Sequence, residues 1–362
     1  MHETPLIYVH EELGASLGTF AGWRMPIDYG NPLSEALKTR QAAAVFDISH
    51  LTKIEVSGEG AYSVLQRLVA KDISKLPVGT MLAPTAFLNE AGGFVDDVSV
   101  YRLGEERFLI IGNAINWEKD VRWLEEHADK RSVEISDVTA DYAMIAVQGP
   151  LSGELIEAVA PKLLEAEPLS VISPMKTIAG EAVIGSRSGW TGEEGYEIIA
   201  RPEVASALFN KVIERGAVPA GLGARDILRI EMGFCLYGHE IDEETNPIEA
   251  RYWVFSWRKR GYIGCDALLK ALEEGVKRVR VGFVGKPRMP IPRQGVKVYA
   301  GQRRVGVITS GTFSPVLRRP VAMGFVDAGH AIEEMRLEAE IRGKRYPLTV
   351  SKIPFVRGCR HL

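Results

Sequence analysis

Apolar and polar residues alternate along this chain with two different periods. Residues 34–44 (SEALKTRQAAA) repeat at helical spacing, with Ser34 placed to cap the first turn. Residues 53–58 alternate as a strand does, and 60–70 return to the helical period. Strands over 95–102 and 107–112 are joined by the turn-rich GEER, and NWEKDVRWLEEHA (116–128) reads as a helix. Strands at 132–137 and 143–148 follow, closed by the chain-breaking pair Gly149 and Pro150. A second mixed unit is predicted from strands at 180–187 and 195–200, a helix over 203–215 and another opening near Ala224. After about residue 276 helical spacing nearly vanishes. Short alternating runs separated by tight turns predict an all-β terminal domain, sandwich or barrel.

Composition narrows the function classes. The 362 residues are 46% apolar and 25% charged, the make-up of a globular chain long enough for two or three domains. The net charge of −3 carries no overall basic character, so nucleic acid is not an expected partner. The three cysteines, Cys235, Cys265 and Cys359, form no CxxC pair, and the seven histidines show no ligand spacing, so no metal site is expected. The opening MHETPLIYVHEELG lacks an apolar core and no run of about 18 apolar residues occurs, which predicts a cytoplasmic protein without a membrane span. His50, close to Asp47, reads as half of a structural pair.

Three segments carry candidate chemistry. In NEAGGFVDD (89–97), Asp96 and Asp97 enter a strand as neighbours and so point to opposite faces; either at most one of them faces a site, or both mark a solvated strand start after a glycine turn. In GWTGEEGYE (189–197), three glycines and two aromatics make a compact loop into a strand. There Glu197 is either drawn inward to accept hydrogen bonds from an amino-substituted heterocycle or is an exposed strand residue. In GLGARD (221–226), the glycines and the first helical turn suit an anion, with Arg225 as a carboxylate fork or as half of a structural salt bridge. The missing third glycine makes a dinucleotide site there poor.

Taken together these segments resemble the glycine cleavage T-protein family, the aminomethyltransferases. The likeness runs nearly end to end: TPLIYVHEELGASLGTFAGWRMPIDYG, AVFDISH, NEAGGFVDDVSVYR, VQGP, SRSGWTGEEGYEI, PAGLGARDILRIEMGFCLYGHEID, NPIEA and ITSGTFSP follow in family order. The resemblance implies an α+β fold of three domains in a cloverleaf around a central folate channel, with a β-rich, barrel- or jelly-roll-like C-terminal domain. The units expected are 1–52 with 140–250, then 53–139 bearing Asp97, a connecting segment 251–275, and 276–362. It further implies a reaction. The one-carbon unit of an aminomethyl group on the lipoylated H-protein passes to tetrahydrofolate, with release of ammonia and formation of 5,10-methylenetetrahydrofolate. Residue by residue, the resemblance makes Asp97 catalytic, stabilising the iminium-like cation left by ammonia, and makes Glu197, Arg225, Trp190 and Arg360 folate contacts.

The chain departs from the family pattern at several places. Trp190 stands for a tyrosine, Leu51, Thr52 and Lys53 replace the end of SHMGE, Pro84 stands where many relatives carry tyrosine, and Cys265 falls in the FIGKEAL segment. These departures bear on the one-carbon donor more than on folate. They keep a demethylase or other one-carbon transferase of the same fold as an alternative. A non-catalytic folate-binding protein is a second, although RGYIGCDAL does not match that group's KGCYxGQE-like motif. Arg258, Lys259 and Arg260 are candidates for a polyglutamate tail, or a solvated basic surface.

Overall fold

Alternation across residues 52–57 places Ile54 and Val56 on one face of a strand, where Val100, Phe108 and Ile110 of neighbouring strands join them. The computed structural model, which describes residues 1–178 and 182–358, builds on this a five-stranded antiparallel sheet. Its order is Thr80–Leu88, Phe94–Gly104, Arg107–Gly112, Thr52–Ser57, Glu134–Asp137. The helices Ala61–Leu68 and Trp117–His127 cover that face through Leu65, Leu68 and Leu124, as amphipathic helices must to remove their apolar stripe from water.

The other face of this sheet turns Met81, Tyr101, Leu109 and Ile111 towards Phe46, Met144 and Ala146 of a second sheet and towards Ile227 and Leu228. That second sheet has six strands in the order Val171–Lys176, Ala182–Ser186, Gly195–Ala200, Ala143–Gln148, Ala44–Asp47, Val218–Ala220. Its far side is covered by the helices Ser152–Val159 and Pro202–Glu214. The last six strands, between Arg278 and Ser351, close into an antiparallel barrel around Phe283, Val298, Ile308 and Ala339. Closure leaves no free edge, which explains why this alternating region needs no helices.

The helix Leu222–Met232 joins the three parts. Its Ala224, Ile227 and Leu228 enter the core between the sheets, while Ile230 packs on Val321 and Met323 of the barrel. Arg229 donates to Glu240 at 2.9 Å and to Ser310 of the barrel at 2.8 Å. At the same end Arg40 donates to Glu231 of this helix at 3.0 Å and to Glu193 at 2.9 Å. These pairs are almost fully buried, so each ion needs its partner to offset desolvation.

Two expectations about the helix predicted over 34–44 change. It runs Pro32–Gln41, and Ala44 already belongs to a strand buried on both faces. Its cap is Asn31, whose side-chain oxygen accepts from the backbone N–H of Leu33 and Ser34; Ser34 lies inside the helix. Pro32 at the first position leaves no N–H to satisfy, which moves the start three residues upstream of the sequence expectation. Asn31→Ala should cost about 1 kcal/mol in chemical denaturation and Ser34→Ala less than about 0.5 kcal/mol. Equal effects would return the cap to Ser34.

Candidate active site

The strand Phe94–Gly104 carries the first candidate. Phe87 pairs with Asp96 and Leu88 with Phe94, so Val95 is an extra residue on this strand. Such a bulge re-aims the side chains beside it. A second irregularity, between Leu82 and Thr85, puts an extra residue on the partner strand at Ala83–Pro84, where a proline with no N–H to donate is tolerated. Below the bulge Asp96 is fully buried, and Asp97 is 9% exposed.

Asp96 accepts from Asn113 N at 2.9 Å, Asn113 Nδ2 at 2.9 Å and Asn116 Nδ2 at 2.5 Å. Asn113 Nδ2 also donates to Asp97 Oδ1 at 2.8 Å, and the Tyr252 hydroxyl donates to Asp97 Oδ2 at 3.0 Å. The two carboxylates are linked through one amide, which donates to both. Among the described residues neither oxygen of the buried Asp120 meets a donor. Its Oδ2 and that of Asp96 lie 2.6 and 2.9 Å from the point a Cβ on Gly112 would occupy, with Thr52 Oγ1 at 2.7 Å, so no side chain fits at 112. Burial, and then the Asp96 charge, push Asp120 well above the usual carboxylate range. Burial and the Asp96 charge raise Asp97 to about 7, against the downward pull of Tyr252 and Asn113.

Glu197 lies half-buried on the strand Gly195–Ala200. Ser188 Oγ donates to its Oε2 at 2.5 Å and the Tyr101 hydroxyl approaches the same oxygen at 3.4 Å. Among the described residues no donor reaches Oε1. Tyr101 shares a face of its strand with Asp97, four residues and about 13 Å away. Arg225 is an electrostatic neighbour of Glu197; burial, then Arg229, lowers its affinity for its proton while Glu197 restores it. No hydrogen bond or ion pair to Arg225 is formed by the described residues. The structural salt bridges that could have been assigned to it are made by Arg229, four residues on.

The glycines of GLGARD give room to the chain itself. A Cβ at Gly221 would fall 2.3 Å from Ile27 O, one at Gly223 would meet Pro32 at 3.0 Å, and Gly221 N already donates to Glu35 at 3.0 Å. Trp190 is half-buried, tilted on Phe234 with ring centroids 4.7 Å apart. It packs against the cluster of Phe94, Cys235 and Tyr252 that surrounds Asp97. Arg360 lies outside the described residues.

Other readings change. Asp47 pairs with His10 at 2.8 Å and also accepts from Thr4 and Ser49, so His50 is not its partner. His50 is buried edge-on against Phe20 with Nδ1 unpartnered among the described residues, and burial followed by the Arg225 charge lowers it to about 3. Lys53 is fully buried, its ammonium donating to Ser49 O at 3.0 Å and Leu51 O at 2.7 Å, and burial lowers it to about 7. Lys259 is also buried, bonding Val69 O and Lys71 O, so residues 258–260 are not one basic surface patch. Two surface clefts, one against Glu134 and Ile135 and one between Arg40 and Arg318, hold none of the candidate residues.

Sequence reasoning missed Asn113, Asp120 and Tyr252. Asn113 and Asp120 had a weak signal, at a strand end and on the polar face of a helix. Tyr252 had none, because its contact spans 155 positions.

A buried acid, an open carboxylate oxygen, a guanidinium without an ion-pair partner and aromatic walls, gathered where two sheets and a barrel-linked helix meet, define an enzyme of small polar molecules. The family model described as the GCVT N-terminal domain matches residues 6–259, and that of the glycine cleavage T-protein C-terminal barrel domain matches 278–357. A probable aminomethyltransferase of Aeropyrum pernix is 41% identical over 96% of both chains. An aminomethyltransferase of Thermus thermophilus is 40% identical over 98% of this chain and 99% of its own. The crystal structure of glycine cleavage system aminomethyltransferase T from Bartonella henselae superposes with a TM-score of 0.90 at 35% identity, covering 98% of each chain. The chain belongs to the glycine cleavage T-protein family of aminomethyltransferases.

Proposed function

We propose that this aminomethyltransferase takes the one-carbon unit from the aminomethyl-lipoyl arm of the H-protein and transfers it to tetrahydrofolate, releasing ammonia and yielding 5,10-methylenetetrahydrofolate. The observation that carries the reading is Asp97, a buried carboxylate oriented from both oxygens and kept near its ionisation midpoint at neutral pH. Tetrahydrofolate, when bound, supplies the ring nitrogen that takes up the one-carbon unit. The residues suit such a molecule: Glu197 Oε1 is open to the amino-substituted edge of the pterin, Trp190 offers a ring face, and Arg225 meets its polar parts. Arg360 is a further folate contact on the resemblance alone.

On this reading ionised Asp97 stabilises the positive charge that builds on the donor as its bond to the leaving nitrogen breaks. The dry cluster of Phe94, Cys235 and Tyr252 around it strengthens that interaction by excluding water. The units 1–52 with 140–250, 53–139 and 276–362, linked by 251–275, are proposed as the three walls of the folate channel. No helix of the described residues is long and apolar enough to cross a membrane. The reading places the protein in the cytoplasm with the lipoylated H-protein as partner.

The test is turnover with aminomethyl-lipoyl H-protein and tetrahydrofolate, following ammonia and methylenetetrahydrofolate together. Both products should require both substrates. Folate binding without turnover would favour a methyl donor and a demethylase. Tetrahydrofolate alone should raise the melting temperature by mass action on the native state, and a flat response at saturation would remove folate from the reading.

A further inference from the structure

We propose that Tyr252 is a positioning residue for the aminomethyl transfer, its phenol holding Asp97 Oδ2 so that the carboxylate is ionised and aimed at the reacting centre. The inference rests on Asp97 as the reacting group. Its support is geometric. Asn246 caps the short helix Pro247–Ala250 by accepting from Ile248 N and Glu249 N, and Tyr252 N returns to Pro247 O at 3.0 Å. This closed turn presents Tyr252 in one orientation. Its ring stacks on Phe94 with centroids 6.1 Å apart and planes at 27°, and Phe94 begins the strand that carries Asp97. Tyr252 is 8% exposed, and its one side-chain hydrogen bond among the described residues goes to Asp97 at 3.0 Å.

With Asn113 on Oδ1 and Tyr252 on Oδ2, rotation of the carboxylate breaks a bond at either end, so its remaining lone pairs point in a set direction. A donor to the charged form also favours ionisation. The other charged or titratable groups near Asp97 leave that task to Tyr252. Asp96 on the same strand repels the charge, and Asp120 on the helix Trp117–His127 is itself an acid, pushed up by burial and the Asp96 charge, and offers Asp97 no cation. Cys235, after the helix Leu222–Met232, is pushed up to about 12 by burial. Arg280 of the barrel faces Tyr252 and Cys235, and its Nε and Nη1 donate to Ala250 O and Gly233 O, with no hydrogen bond from it to Asp97 among the described residues. Burial and the Asp97 charge raise the phenol well above its ordinary range, so it remains a donor through the working pH.

Tyr252→Phe keeps the ring and its stacking and removes the donor. The expected result is a kcat reduced about tenfold near pH 7 and an acid limb of the kcat/KM profile displaced upward by at least half a pH unit, with tetrahydrofolate Kd changed less than about threefold. A second readout needs no activity. The melting-temperature difference between wild type and Tyr252→Phe should grow from pH 5 to pH 8, as Asp97 ionises and loses more by the missing donor. In an Asp97→Asn background that pH dependence should disappear. Superimposable pH profiles, or a melting-temperature loss that is the same at every pH and in both backgrounds, would make Tyr252 a packing residue only and overturn the inference. An active Asp97→Asn enzyme would instead overturn the reading of Asp97 on which it rests.

Discussion

Asp97→Asn is expected to lower kcat by about 10²–10³ while leaving tetrahydrofolate affinity within a few fold. Asparagine keeps the shape: its one carbonyl oxygen accepts from Asn113 and its amide N–H can donate to the Tyr252 oxygen, but it lacks the negative charge that meets the cation left by ammonia. The folded protein should lose no stability. Burial and Asp96 raise the folded Asp97 value from 3.8 to about 7, so between those values the unfolded chain has released a proton that the native state retains. Asp97 therefore costs stability as pH rises through that window, and the full cost stands above about 7. Replacing it should hold or raise the melting temperature at pH 8, which separates a catalytic loss from a folding defect. In the wild-type enzyme the same ionisation predicts an acid limb in kcat/KM near pH 7. If Asp96→Asn abolished turnover with its melting temperature intact while Asp97→Asn stayed active, the assignment within the pair would be reversed.

Glu197→Gln is expected to weaken tetrahydrofolate binding by about 10–100-fold, the range for losing a hydrogen bond to a charged acceptor, with a smaller change in kcat. Ser188 and Tyr101 already satisfy Oε2, so the substitution leaves their bonds to a neutral oxygen and keeps the strand in place. What changes is Oε1, the oxygen without a protein donor, and the charge that Arg225 feels across the gap. Isothermal titration with tetrahydrofolate reads this directly. Unchanged affinity would assign Glu197 to the Ser188–Tyr101 network and move the heterocycle site elsewhere.

Much of the chain was legible without coordinates because its elements are amphipathic over one period each. The strand at Thr52–Ser57, the helix at Trp117–His127 and the β-rich terminal domain follow from spacing that any surrounding fold would respect. The resemblance carried by eight motifs in order led to the family and to Asp97, Glu197, Arg225 and Trp190. The strand Ala44–Asp47 escaped because an alanine run has no period of its own, and tertiary burial on both faces decided it.

Pairing was what the sequence could not determine. Asp47 lies three residues from His50 and yet binds His10, 37 positions away; Arg229, not Arg225, takes the salt bridges. The glycines that suggested an anion cradle admit the backbone at Ile27 instead. The state of Asp97 follows the same rule. Its residue type and strand are local facts, but its charge depends on burial, on Asp96, and on donors from Asn113 and Tyr252. Electrostatics and hydrogen bonds fall off over a few ångströms of space regardless of chain separation. The sequence thus determined which groups this enzyme carries and the periodic elements that bear them, while only the folded core decided which groups meet, and so which acid is poised to act.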